Sequence, residues 1–291
     1  MNQLYEIAFH PDYQFLRQAF LVSALASLSF GIIGTFVVVR RIGYLAGAIS
    51  HCAFGGVGIG VFLQQAILSA GMTTLATFLD PIAIAVLFSI GASLMIGAVQ
   101  MRAKEREDSI IGAIWALGMA LGVLFFTKTK GFHTIDAYLF GDILLVSTNG
   151  VRLVGILDIA VLLITVFSFR RLEAVCFDEE FVRLRGIPAG FYFQLLLVLI
   201  AVTVVLMIQL VGIILVIALL TLPAATAARL TTRLLPMACV AIILCFAFCW
   251  IGLYASVLFN LAAGPMMILV AGICYFFVLI GGMIPAPKSA G

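Results

Sequence analysis

The sequence predicts an all-α, polytopic membrane protein, a bundle of about nine transmembrane helices forming one domain over residues 1–291. Three observations predict it. Of 291 residues, 64% are hydrophobic and only 10% charged, with a mean hydropathy of +1.26; a soluble domain carries about 25% charged residues and needs a polar skin. The apolar residues gather into runs near the ~20 residues that a helix needs to cross a bilayer. The 16 Lys and Arg residues fall between those runs with a strong bias to one side.

The runs, in order, are 19–39, 42–63, 81–99, 110–126, 153–169, 191–208, 210–228, 236–259 and 261–284. Arg40 and Arg41 close the first. Arg102, Lys104 and Arg106 follow the third, Arg170, Arg171, Arg183 and Arg185 the fifth, Arg229 and Arg233 the seventh, and Lys288 the last. With the N-terminus outside and the C-terminus inside, these 12 basic residues are cytoplasmic, and only Arg17, Lys128, Lys130 and Arg152 lie outside. That is the positive-inside pattern. The sixth and seventh runs are parted by Gln209 alone, so an eight-span count is the alternative; it throws Arg229, Arg233 and Lys288 to the wrong side. Residues 1–11 read as a short interfacial segment with no cleavable leader.

The composition gives no basic stripe for nucleic acid. The sequence contains no G-x-x-x-x-G-K-[ST] loop, no H-E-x-x-H and no G-x-S-x-G, which argues against an own ATPase site and against the commoner membrane hydrolases. The six cysteines form no C-x-x-C pair. Five sit in apolar runs and Cys176 in a loop, which suits packing; Cys245 and Cys249 share a helical face as candidate soft ligands.

A polar side chain inside a span is a functional candidate by default. His51 lies ten residues beyond Arg41, roughly 15 Å into a ~30 Å core. Gly43, Gly47, His51 and Gly55 recur every four residues, and small residues at that spacing admit a neighbouring helix. His51 is therefore either a metal-ligating imidazole on a pathway or a packing histidine bonded to a carbonyl. Asp158, about one and a half turns into the fifth span, either draws cations to an entrance or pairs with Arg152; the pairing is favoured. His133 reads as a solvated loop residue. In residues 176–191, Phe177, Phe181 and Leu184 make one apolar face, Asp178, Glu179 and Glu180 crowd a first turn, and Gly186 and Pro188 stop the helix. Such a helix is either a membrane-surface element or a docking helix.

The stretches VVVRRIGYLAGAISHCAFGGVGIG (37–60), AYLFGDILLVS (137–147), FDEEFVRLRGIP (177–188) and LVGIILVIALLTLPAATAARL (210–230), with FNLAAGPMMILV (259–270) less closely, resemble the permease subunits of zinc, manganese and iron ABC importers. The resemblance implies a homodimeric permease in the cytoplasmic membrane of a prokaryote. It implies two copies of a cytoplasmic ATPase that uses the ATP, and an external metal-binding protein. It implies no cofactor beyond the transported divalent ion. His51 matches the family's metal ligand, with Gly47, Ser50, Gly55 and Asp158 along the pathway. Phe177, Asp178, Glu179, Glu180, Arg185, Gly186 and Pro188 match the helix that couples to the ATPase. Many members carry aspartate where this chain has Gly47, so the remaining ligands must come from elsewhere. The competing expectations are a permease for a metal chelate or vitamin, and a gradient-driven secondary transporter.

Overall fold

The computed structural model describes residues 14–72, 80–102, 107–129, 141 and 148–281. Among these the chain is helical throughout, with no strand. In hydrocarbon every backbone N–H and C=O must be satisfied within the chain, and the α-helix does so segment by segment. The helices are α1 (Gln14–Val39), α2 (Gly43–Ser69), α3 (Pro81–Arg102), α4 (Glu107–Lys128), α5 (Thr148–Phe177), α6 (Glu179–Leu184), α7 (Ala189–Val211), α8 (Ile213–Leu230), α9 (Leu234–Phe259) and α10 (Ala263–Gly281). Nine of them have 18 residues or more, and each overlays one predicted run. Seven are long and apolar enough to cross a membrane; α7 has a shorter apolar stretch, Ala189–Val205, and α5 carries Asp158, Arg170 and Arg171. The chain is a multi-pass membrane protein.

Central position is set by small residues. The most apolar stretch of α2 is 83% buried, against 17% for α10. Helix α2 packs between α3, α4 and α7, while α1 packs against α5, α8 and α9. A methyl group on Gly56 would lie 2.7 Å from the Ala85 backbone, and one on Gly60 would lie 2.7 Å from Pro81, so α3 rests directly on α2. On another flank, a methyl on Gly55 would lie 2.7 Å from the Gly118 carbonyl oxygen, and one on Gly58 would lie 2.8 Å from that of Gly122, which seats α4 just as closely. Such contacts replace the hydrophobic drive that lipid cannot supply.

Three boundaries differ from expectation. The break between the sixth and seventh runs falls at Gly212, with φ +81°, rather than at Gln209; only glycine takes that conformation without strain. Helix α5 continues eight residues past the predicted end, so Cys176 is a buried helical residue rather than a loop residue. Pro223, whose ring at the inner end of the seventh run is expected to break or hinge that span, lies inside α8, and the helix runs on through it. The 137–147 motif apart from Gly141, His133, residues 1–11 and Lys288 lie outside the described residues.

The α1–α2 corner, the end of α3 and the short α6 meet at one pole of the bundle, around a cleft of about 390 Å³ lined by Arg40, Arg41, Tyr44, Gln100, Glu179 and Arg183.

Candidate functional site: an imidazole and a thioether between two helices

Gly118 carries no side chain, so the backbone of α4 comes flush with residues 51 and 52 of α2. A methyl on Gly118 would lie 2.8 Å from the Cys52 backbone. The next residue, Met119, is thereby set beside His51. His51 Nδ1 lies 3.3 Å from Met119 Sδ, and the imidazole stacks on Trp115 with centroids 4.8 Å apart and planes 26° from parallel. All three side chains are half-buried. Among the described residues no three His, Cys, Asp or Glu side chains gather to hold a metal ion, so any cation here meets few protein donors.

Gly47 and Gly55 share the His51 flank and face α4, whereas Gly43 faces Thr221 of α8. A methyl on Gly47 would lie 2.7 Å from the Trp115 ring: the indole fills the space that a longer side chain at 47 would take. Ser50 is buried and donates to the Ala46 carbonyl oxygen at 2.7 Å, within its own helix. Met119 and Trp115 carried no signal in the sequence, since each sits in an apolar run where such residues are ordinary core.

Asp158 is elsewhere, and its partner is not Arg152. It is 1% exposed, accepts a hydrogen bond from Ser29 Oγ of α1 at 2.5 Å, and its Oδ2 is buried without a partner. Arg152 is exposed. Burial by α1 removes the carboxylate from any open entrance. Cys245 and Cys249 are buried in α9 packing. Burial also pushes the Cys176 thiol up to about 11, beyond the lowering effect of Arg40 nearby.

The 177–188 segment folds into a short, sharply capped helix. Asp178 accepts from the Phe181 N–H at 2.9 Å as the N-cap. At the other end Gly186, with φ +75°, donates to the Arg183 carbonyl, and Ile187 donates to that of Val182, a Schellman closure. Phe177 belongs to α5, not to this helix. Val182 is the buried anchor; Phe177, Phe181 and Leu184 stand exposed, as do Asp178, Glu180, Arg185, Gly186 and Pro188. Glu179 is engaged within the chain, accepting from Arg40 and Arg183 at 2.5 Å each. Arg40 also donates to the Val175 carbonyl at 2.9 Å and lies over the Phe193 ring.

Known proteins share this chain's length and fold. It is 33% identical over 270 residues to a "Probable metal transport system membrane protein" of Chlamydia trachomatis, covering 91% of this chain and 89% of the relative. It is 31% identical over 269 residues to the "Manganese transport system membrane protein MntC" of Listeria monocytogenes, covering 92% and 91%. Among solved structures, PsaBC from Streptococcus pneumoniae in complex with Fab superposes with a TM-score of 0.81 at 26% identity, over 98% of this chain and 95% of that one. The profile of the ABC 3 transport family matches residues 12–282. With the match running through all ten helices, the chain belongs to the ABC 3 transport family.

Proposed function

We propose that the chain is the membrane-spanning subunit of an ATP-driven importer for a divalent transition-metal ion. It crosses the cytoplasmic membrane of a prokaryote nine times, N-terminus out and C-terminus in, and works as a homodimer with two copies of a cytoplasmic ATPase and an external metal-binding protein. The observation that carries the reading is His51: a half-buried imidazole deep in a span, in a chain whose relatives are named for metal and manganese transport. Imidazole left open to lipid is costly, so its exposed side must meet a second protein surface or a water-filled path. The seven helices that qualify as spans, the gathering of Arg40, Arg41 and Arg183 at one pole, and the 12-to-4 split of basic residues support the topology.

Coupling follows from the ion pairs. The ATPase grips the exposed Phe181, Leu184 and Glu180 of α6. Its movement pulls Glu179, and with it Arg40, at the corner between α1 and α2. At that corner Arg41 holds a left-handed φ of +58°, a strained setting for a side-chain-bearing residue. Rotation there turns α2 and moves His51 between outer and inner access, as alternating access requires. The test is uptake by permease and ATPase reconstituted in vesicles. Zinc or manganese enters only with ATP, and His51→Ala lowers the rate by about tenfold or more, since losing even an outer-shell partner of a metal ligand costs that much. Undiminished uptake by His51→Ala removes the imidazole from the path; uptake without the ATPase sinks the whole reading.

A further inference from the structure

The geometry points to Met119 as a second metal-contacting donor beside His51, so that this permease presents the ion an imidazole and a thioether and favours zinc over manganese. The inference rests on the metal-importer reading and sharpens it. Zinc sits about 2.0 Å from an imidazole nitrogen and about 2.3 Å from a thiolate sulfur. A neutral thioether binds somewhat farther out, so at a tetrahedral angle the two donors stand a little more than about 3.5 Å apart. His51 Nδ1 and Met119 Sδ are 3.3 Å apart, so with Nδ1 as the unprotonated nitrogen the pair takes an ion after opening by roughly a few tenths of an ångström. Stacking on Trp115 fixes the imidazole plane, and the Gly118 contact fixes the register that brings Met119 to it. Position 47 offers no oxygen, and the indole occupies its place. Thioether and imidazole suit zinc, whereas manganese is best served by carboxylate, carbonyl and water. Water, or the same pair from a second copy, completes the shell, and two protein donors hold an ion loosely enough to release it.

The test uses the whole transporter, permease with its ATPase, purified and reconstituted. Loaded with zinc and read by X-ray absorption at the zinc edge, it shows a sulfur neighbour somewhat beyond the about 2.3 Å of a thiolate, which Met119→Leu abolishes while the nitrogen shell remains. In vesicles zinc outcompetes manganese, and Met119→Leu lowers that preference by about tenfold. Met119→Glu supplies a hard oxygen instead and moves the preference toward manganese. An unchanged sulfur shell in Met119→Leu, or equal zinc and manganese uptake in wild type and both Met119 variants, overturns the thioether role and leaves the importer reading standing. ATP-dependent uptake of neither ion by the wild type overturns the importer reading instead.

Discussion

Gly47 and Trp115 are complementary in volume: one lacks a side chain where the other's six-membered ring lies, 2.7 Å from where a methyl would be. Gly47→Asp therefore forces the indole out, and it lowers thermal stability in detergent by the about 1–3 kcal/mol typical of overpacking. Adding Trp115→Ala to Gly47→Asp recovers most of that loss; no recovery means the clash lies elsewhere. Ser29 and Asp158 make a second residue-scale case. Ser29→Ala leaves both carboxyl oxygens buried without a partner, at a cost of about 1–3 kcal/mol. The double variant Ser29→Ala, Asp158→Leu is more stable than Ser29→Ala alone, because it removes the orphaned oxygens. These pairs also show what single residues disclose in a sequence. His51 stood out because imidazole is rare in an apolar run. Met119 and Trp115 did not, because a methionine or tryptophan in a membrane helix looks the same whether it packs or serves a site. Asp158 was conspicuous, but its partner lay 129 positions away in another helix, where no spacing rule reaches.

For whole elements, the nine long helices were legible because hydropathy and helix length are set by the same bilayer thickness. Their ends were less so. Helix α5 extends past Phe169 into polar sequence because, outside the hydrocarbon, continuation depends on capping and packing rather than on hydropathy; Leu172 and Val175 bury there. The short α6 was legible as a helix from its acidic first turn and Gly186, yet Glu179, matched to the ATPase-coupling helix, is engaged within the chain by Arg40 and Arg183. The two acids thus separate in role. Glu180→Lys and Leu184→Asp weaken co-purification of the ATPase with the permease. Arg40→Ala leaves the complex assembled but lowers metal uptake per ATP hydrolysed, because α6 then moves without carrying the α1–α2 corner. Measuring ATPase rate and uptake on the same vesicles separates the outcomes, and an unchanged ratio in Arg40→Ala argues against transmission through this pair.

At the level of the whole molecule, α4 leans on α2 and, among the described residues, barely touches the other helices, so one side of it has no described helix against it. On that side His51, Trp115 and Met119 are half-exposed, and Gly112 faces open space. An imidazole facing acyl chains is unfavourable, whereas the exposed faces of α10, with Phe276 and Phe277, are as apolar as lipid. The two surfaces thus call for different neighbours. On the homodimer proposed above, the second copy is expected against the α2–α4 side, so that two imidazole–thioether pairs confront one path, with α10 toward the bilayer. In a background with the six native cysteines replaced, Gly112→Cys forms an oxidised dimer in membranes. The side chain it adds meets nothing within 4 Å, so folding is undisturbed. Phe276→Cys, on the outer face of α10, stays monomeric under the same oxidant. Cross-linking through position 276 and not 112 places the partner on the opposite flank. It thereby separates the two His51 sites and rules out a shared path between the copies.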